Sequence, residues 1–132
     1  MSRIPRHQEH LKTGFTAEAV SAARFRAFAS RAERDGFPEL ARRWRELAQA
    51  KDALAIRLLE AAEQVRGREG DFGMALAEER YENDVLYPKM IRDTEGTGTA
   101  EVLRDVVAAQ RDHLGHLESL SEKIAATSGD VT

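Results

Sequence analysis

Residues 75–88 read ALAEERYENDVLYP, and Glu79 and Glu82 interrupt an apolar stripe that runs from Ala75 and Leu76 to Leu86. Side chains three apart on an α-helix share a face, so both carboxylates point where the apolar residues point. If that face is buried, the carboxylates need a cation, a proton or a hydrogen-bond donor. Pro88 ends the stretch; without a backbone N–H it removes one helical hydrogen bond and distorts the helix around it.

The same pattern recurs on either side. Three- and four-residue apolar steps, the period of an amphipathic helix, predict helices over about 16–34, 38–65, 71–94 and 100–126, with frayed ends at about 1–10 and 127–132. Thr16 and Asp71 serve as N-caps. Asp35-Gly36-Phe37-Pro38 supplies a left-handed cap followed by a helix-opening proline, and Gly96-Thr97-Gly98-Thr99 breaks the chain before the last helix. Short connections after the first and third helices predict two antiparallel hairpins. Phe15, Ala22, Phe25, Ala29 and Ala32 form the first stripe. Leu40, Trp44, Leu47, Ala48, Leu54, Ala55, Leu58 and Leu59 form the second, and Leu103, Val106, Val107, Leu114, Leu117, Leu120 and Ile124 the last. Within these stripes four more polar residues stand out: Glu18, Lys51, Gln110 and His113.

Composition bounds the rest. A chain of 132 residues with 42% hydrophobic content predicts a single domain with a modest core. Its 20 basic and 23 acidic residues give no positive field for nucleic acid. The arginines from Arg24 to Arg45 alternate with acids and apolar residues as a solvated helix face does. The chain has no cysteine, which removes disulfides, thiolate zinc and iron–sulfur clusters. No apolar run reaches signal-peptide or membrane-spanning length. These features predict a cytoplasmic protein with neither a membrane nor a nucleic-acid partner. His7, His10 and His116 fall on exposed positions, and Trp44, Tyr81 and Tyr87 are assigned to packing. No phosphate loop or nucleophile motif appears.

Several landmarks are more specific than four amphipathic helices. They are Phe15-Thr16-Ala17-Glu18, Phe28-Ala29-Ser30, Asp35-Gly36-Phe37, the run Ala77-Glu78-Glu79-Arg80-Tyr81-Glu82 with Tyr87-Pro88, and Ala100-Glu101-Val102-Leu103. In these the chain resembles the rubrerythrin branch of the ferritin-like superfamily over about residues 11–124. The resemblance implies an all-α, ferritin-like antiparallel four-helix bundle made of two helical hairpins. It also implies metal-ligand positions at Glu18, Glu79, Glu82 and His113. The family's second-helix Glu-x-x-His is replaced here by Lys51 and Leu54, and its fourth-helix glutamate by Gln110. Both lost glutamates are those that would bridge two irons.

Charge restricts what such a site could hold. Glu18, Glu79 and Glu82 carry three negative charges against one positive from Lys51, an excess that one divalent cation or the protonation of one or two carboxyls would remove. Two carboxylates and an imidazole suit one iron or manganese ion, on Glu79, Glu82 and His113 with Glu18 or Gln110 at the edge. In the rival arrangement the site is metal-free and the Lys51 ammonium pairs with Glu18, Glu79 or Glu82; this form is preferred to a di-iron one. Lys51 and Glu18 are then the catalytic candidates. Three functions follow as expectations. The first is a rubrerythrin-type oxidoreductase acting on peroxide or dioxygen and served by a separate reductase. The second is a metal-free bundle using a Lys–Glu cavity for ligand binding or acid–base chemistry. The third is a structural homo-oligomer, expected as a homodimer.

Overall fold

The computed structural model describes residues 4–131, and the side chains of 6–131. They form α1 (Ile4–Arg34), α2 (Pro38–Ala61), α3 (Arg68–Tyr81), α4 (Tyr87–Asp93) and α5 (Gly98–Ala126), with a π-helical turn, Glu82–Leu86, between α3 and α4. No strand occurs among the described residues. With the π turn counted as part of one interrupted helix, four helical stretches result, as the periodicity predicts. The chain divides into two compact units, residues 1–65 and 66–132, each a helical hairpin.

In the first unit α1 ends in a Schellman turn: Phe37 N–H donates to the Ala32 carbonyl at 2.8 Å and Gly36 N–H to Glu33 at 3.0 Å. Gly36 sits at φ +85°, the left-handed conformation that glycine adopts without a Cβ penalty. Pro38 then opens α2. The returning helix runs antiparallel to the first: Glu33 pairs with Arg45, Arg26 with Asp52, Glu18 with Lys51, and Gln8 with the Ala62 carbonyl.

Two boundaries differ from expectation. α1 begins at Ile4 rather than near Thr16, so residues 4–10 are helical, not frayed. The added turns lie against the far end of α2, where Gln8 donates to Ala62 at 3.2 Å. Gly14 also leaves room there for Leu58, whose Cδ1 would lie 3.2 Å from any Cβ at that position. α2 stops at Ala61 rather than Val65 because Glu63 turns into the left-handed region at φ +58°. Gln64 N–H donates back to Leu59 and Glu63 N–H to Glu60.

The core of this hairpin is alanine. Ala22, Ala29 and Ala32 on α1 and Ala41, Ala48, Ala55 and Ala62 at the face of α2 are all at most 5% exposed. Leu40, Leu47 and Leu54, expected inside, are 48, 51 and 48% exposed. Two helices can bury only one strip of each other's surface, and the alanine column takes it. Trp44 packs on the Ala29, Ala32 and Ala41 cluster and meets Phe25 at a tilt and Phe28 edge to face, with ring centroids 5.1 Å away from each.

The second unit returns in the same sense, α3 and α4 running against α5. α3 begins at Arg68 instead of Asp71, and Asp71 Oδ1 accepts from the Arg66 amide at 2.7 Å, ordering the approach to the helix. The π turn ends two residues before Pro88. Tyr87 N–H donates five residues back to Glu82, and the proline that follows has no N–H to restore the four-residue ladder. Thr97 caps α5 by accepting from Ala100 N–H. At the other end Arg68 holds the chain terminus. Its guanidinium donates to the carbonyls of Ile124 at 3.4 Å and Thr127 at 2.7 Å, and to that of Gly129, while Glu69 Oε1 holds it from behind at 2.8 Å.

Two outcomes test these contacts. Glu63→Gly removes a left-handed strain of about 1 kcal/mol and should raise the midpoint of chemical unfolding. The Arg68 hydrogen bond holds the Glu69 carboxyl below its ordinary 4.5, so the contribution of this pair is present above pH 4.5 and is lost as pH falls through the lower folded value. The Thr127 and Gly129 amide signals should therefore move toward random-coil positions only below pH 4.5, and in Arg68→Ala at every pH.

Candidate functional site

Each hairpin carries its own polar group. In the first, Glu18 lies one turn before Ala22 on α1, and Lys51 lies between Ala48 and Ala55 on α2. Both therefore project beside the alanine column that the two helices bury between them. Lys51 Nζ stands 2.8 Å from Glu18 Oε2, with the two side chains 32 and 23% exposed. That oxygen has no accessible surface, and the ammonium meets it outside good hydrogen-bond direction. The contact is thus an ion pair at contact distance, partly screened by solvent. Of the three carboxylates open to Lys51 in the sequence, Glu18 is the one it meets.

In the second hairpin Gln110 Nε2 donates to Glu82 Oε1 at 2.8 Å. The carboxylate fixes which end of the amide faces it, since only the NH2 end can donate. Gln110 Oε1 is left buried without a donor, and so is Glu79 Oε2. Asn83, one turn beyond Glu79, is 3% exposed and is the buried polar side chain among the described residues. Its Nδ2 donates to the Glu79 carbonyl at 2.8 Å while its Oδ1 also lacks a donor. This unit therefore leaves three buried acceptor oxygens, on Glu79, Asn83 and Gln110, without a donor among the described residues. Sequence reasoning passed over Asn83. Its four-residue spacing from Glu79 and its place just before a proline-distorted turn were the available signals.

His113 does not join this group as a buried ligand: it lies exposed on α5, one residue before Leu114. His7, His10 and His116 are likewise exposed, Tyr81 is 55% exposed, and Tyr87 is half-buried. Among the described residues no three or more His, Asp or Glu side chains lie together so as to hold a metal ion. The donor set itself does not fit a dinuclear iron centre. Of the two positions that the resemblance would make bridging, Lys51 is an ammonium paired with Glu18 and Gln110 is a neutral amide that donates to Glu82. Two adjacent cations would lack the bridging negative charge that holds them together.

Away from these groups, no helix among the described residues is long and apolar enough to cross a membrane. No protein-family model and no curated protein matches the chain, so the rubrerythrin likeness rests on the landmarks at residues 15–18, 28–30, 35–37, 77–88 and 100–103.

Removing one member of the pair should be worse than removing both. Lys51→Ala leaves Glu18 charged at a site with little solvent and should lower unfolding stability by about 1 kcal/mol, a figure between those of exposed and buried pairs. The double variant Glu18→Leu/Lys51→Leu should recover most of that loss, which urea unfolding of the three proteins measures.

Proposed function

We propose that the chain is a metal-independent, rubrerythrin-like protein of ferritin-like fold in which an internal ammonium stands where the family places a bridging carboxylate. In this role Glu18 and Lys51 form an acid–base couple that binds a small polar ligand. The observation that carries it is the 2.8 Å contact between Lys51 Nζ and Glu18 Oε2. An ammonium at that distance neutralises the carboxylate and repels an adjacent cation. It also keeps three N–H donors on a flexible stem, so it can turn from Glu18 to a ligand oxygen while Glu18 accepts a ligand proton or N–H. Partial exposure of both side chains leaves them within reach of a solute.

A peroxide- or dioxygen-linked oxidoreductase is the weaker alternative. It asks Glu79, Glu82 and His113 to hold one iron or manganese ion, with Glu18 or Gln110 at the edge, and a separate reductase to supply electrons. The exposure of His113 and the use of Glu82 by Gln110 give it less support than the ion pair gives the metal-free form.

Elemental analysis separates the two. Protein purified from cells supplemented with iron and manganese should carry far less than one metal per chain, whereas Lys51→Glu should carry more. Stoichiometric metal in the wild type, lost in Glu79→Ala, would overturn the metal-independent reading and favour the oxidoreductase one. Acetate, used as a probe anion, should shift the amide resonances of Ala48 and Ala55 in the wild type and leave them unmoved in Lys51→Met.

A further inference from the structure

We propose that Lys51 condenses with a small, uncharged aldehyde to give a protonated imine, which Glu18 holds as its counter-ion. This rests on the reading of Glu18 and Lys51 as an acid–base couple and names the ligand class for that couple. The chain has four lysines against sixteen arginines. Lys12, Lys89 and Lys123 are exposed, whereas the Lys51 side chain is 32% exposed. The exposed ion pairs of the same hairpin are made by arginine, at Arg26, Arg31, Arg42, Arg43 and Arg45. A guanidinium holds a carboxylate at least as well as an ammonium does, but it stays protonated and is no nucleophile; an amine is one once a proton leaves it. Lysine thus stands at the half-buried pair of this hairpin, where it differs from arginine in chemistry and not only in charge.

Charge and hydration select the reaction. Glu18 Oε2 has no accessible surface and lies 2.8 Å from Lys51 Nζ, its ion-pair partner among the described residues. Acylation or carbamoylation of Lys51 would erase the positive charge and leave that carboxylate uncompensated. Condensation with an aldehyde keeps the charge. Glu18 takes one proton from the ammonium, and the freed lone pair attacks the carbonyl carbon to form the C–N bond. The carbonyl oxygen takes a second proton from the nitrogen. Glu18 then returns the first proton to the resulting hydroxyl, which leaves as water while the C=N bond forms. The net change is ammonium plus aldehyde to protonated imine plus water. No proton is gained or lost and no electron is transferred, so the ion pair that keeps Lys51 protonated does not oppose the product. A protonated imine has one N–H where an ammonium has three, and it loses less hydration on burial. Lys51 has Ala48 and Ala55 one turn to either side, neither with a side-chain acceptor, and the one remaining N–H can stay on Glu18. The half-buried site therefore favours imine over ammonium more than bulk water does.

Propionaldehyde with cyanoborohydride, which reduces a protonated imine to a stable secondary amine, reports the imine at each lysine of the full chain by peptide mass spectrometry. Lys51 should be trapped about tenfold faster than Lys12, Lys89 and Lys123, a preference of about 1.4 kcal/mol. Glu18→Gln keeps the shape of the side chain and removes the counter-ion, so it should bring Lys51 down to the rate of the exposed lysines. Glu18→Asp should restore part of the lead. Helical circular dichroism of each variant separates loss of the counter-ion from loss of the hairpin; if Glu18→Gln unfolds, the wild-type rates and Glu18→Asp decide. A wild-type Lys51 trapped no faster than the exposed lysines overturns the proposal, as does a Lys51 that keeps its lead in folded Glu18→Gln. Where acetate still shifts Ala48 and Ala55 in the wild type, the imine falls alone; where those shifts are missing too, the ligand reading of the pair falls with it.

Discussion

Two helices that meet through alanine approach more closely than two that meet through leucine, and the first hairpin depends on that approach. The buried positions of α2 are Ala41, Ala48 and Ala55, seven residues apart and continued by Ala62 just past its end, answered on α1 by Ala22, Ala29 and Ala32. Short side chains bring the two backbones near enough for Glu18 and Lys51 to touch directly. They also leave no room in the seam for Leu40, Leu47 and Leu54, which lie at its edge. The polar pair and the exposed leucine row are therefore two consequences of one packing choice. A hairpin built with leucine in place of those alanines would hold its helices farther apart, separate the ion pair, and draw more of its apolar surface into its own core.

The two hairpins solve the problem of interior carboxylates differently. In the first, the charge on Glu18 is met by a charge of opposite sign. In the second, Glu82 receives a neutral N–H from Gln110, and Glu79 receives none from the described residues. A carboxylate that accepts an amide hydrogen bond is stabilised but remains negative. The first unit thus sets an ion pair at its polar position, while the second leaves acceptor oxygens of Glu79, Asn83 and Gln110 without a donor among the described residues.

Helix ends were legible wherever a residue has a narrow conformational purpose. Gly36 announced the first turn, Gly96 and Thr97 the start of α5, and Pro88 the distortion that takes the form of a π turn. The start of α1 was not legible, because residues 4–10 are polar and are held by contacts such as Gln8 with Ala62, which lie 54 positions apart in the chain. The division of labour on α2 was also hidden. Alanine and leucine both read as apolar, and only the distance between helices decides which of two adjacent seven-residue columns is covered. For the site, helical spacing identified Glu18, Lys51, Glu79, Glu82 and Gln110 as inward positions. It could not choose among three carboxylates for Lys51, and it placed His113 on an inner face that the structure leaves exposed.

Asn83 shows how a buried polar residue can be set by the backbone beside it. At the start of the π turn the backbone ladder slips from four residues to five, and the Glu79 carbonyl lies where that slip begins. The Asn83 amide donates to it at 2.8 Å, tying the side chain to the last regular turn of α3. That bond accounts for the nitrogen and fixes the amide's orientation, leaving Oδ1 buried without a donor beside a helix whose Glu79 oxygen is in the same condition. A leucine there would fill the space but could not hold the carbonyl. An aspartate would turn an acceptor toward an acceptor and add charge to a unit already negative at Glu79 and Glu82. Asparagine satisfies the backbone without adding charge, as Thr94 does by donating to the Met90 carbonyl four residues back, so the local demand of the π turn is enough to explain why this buried position is polar and neutral.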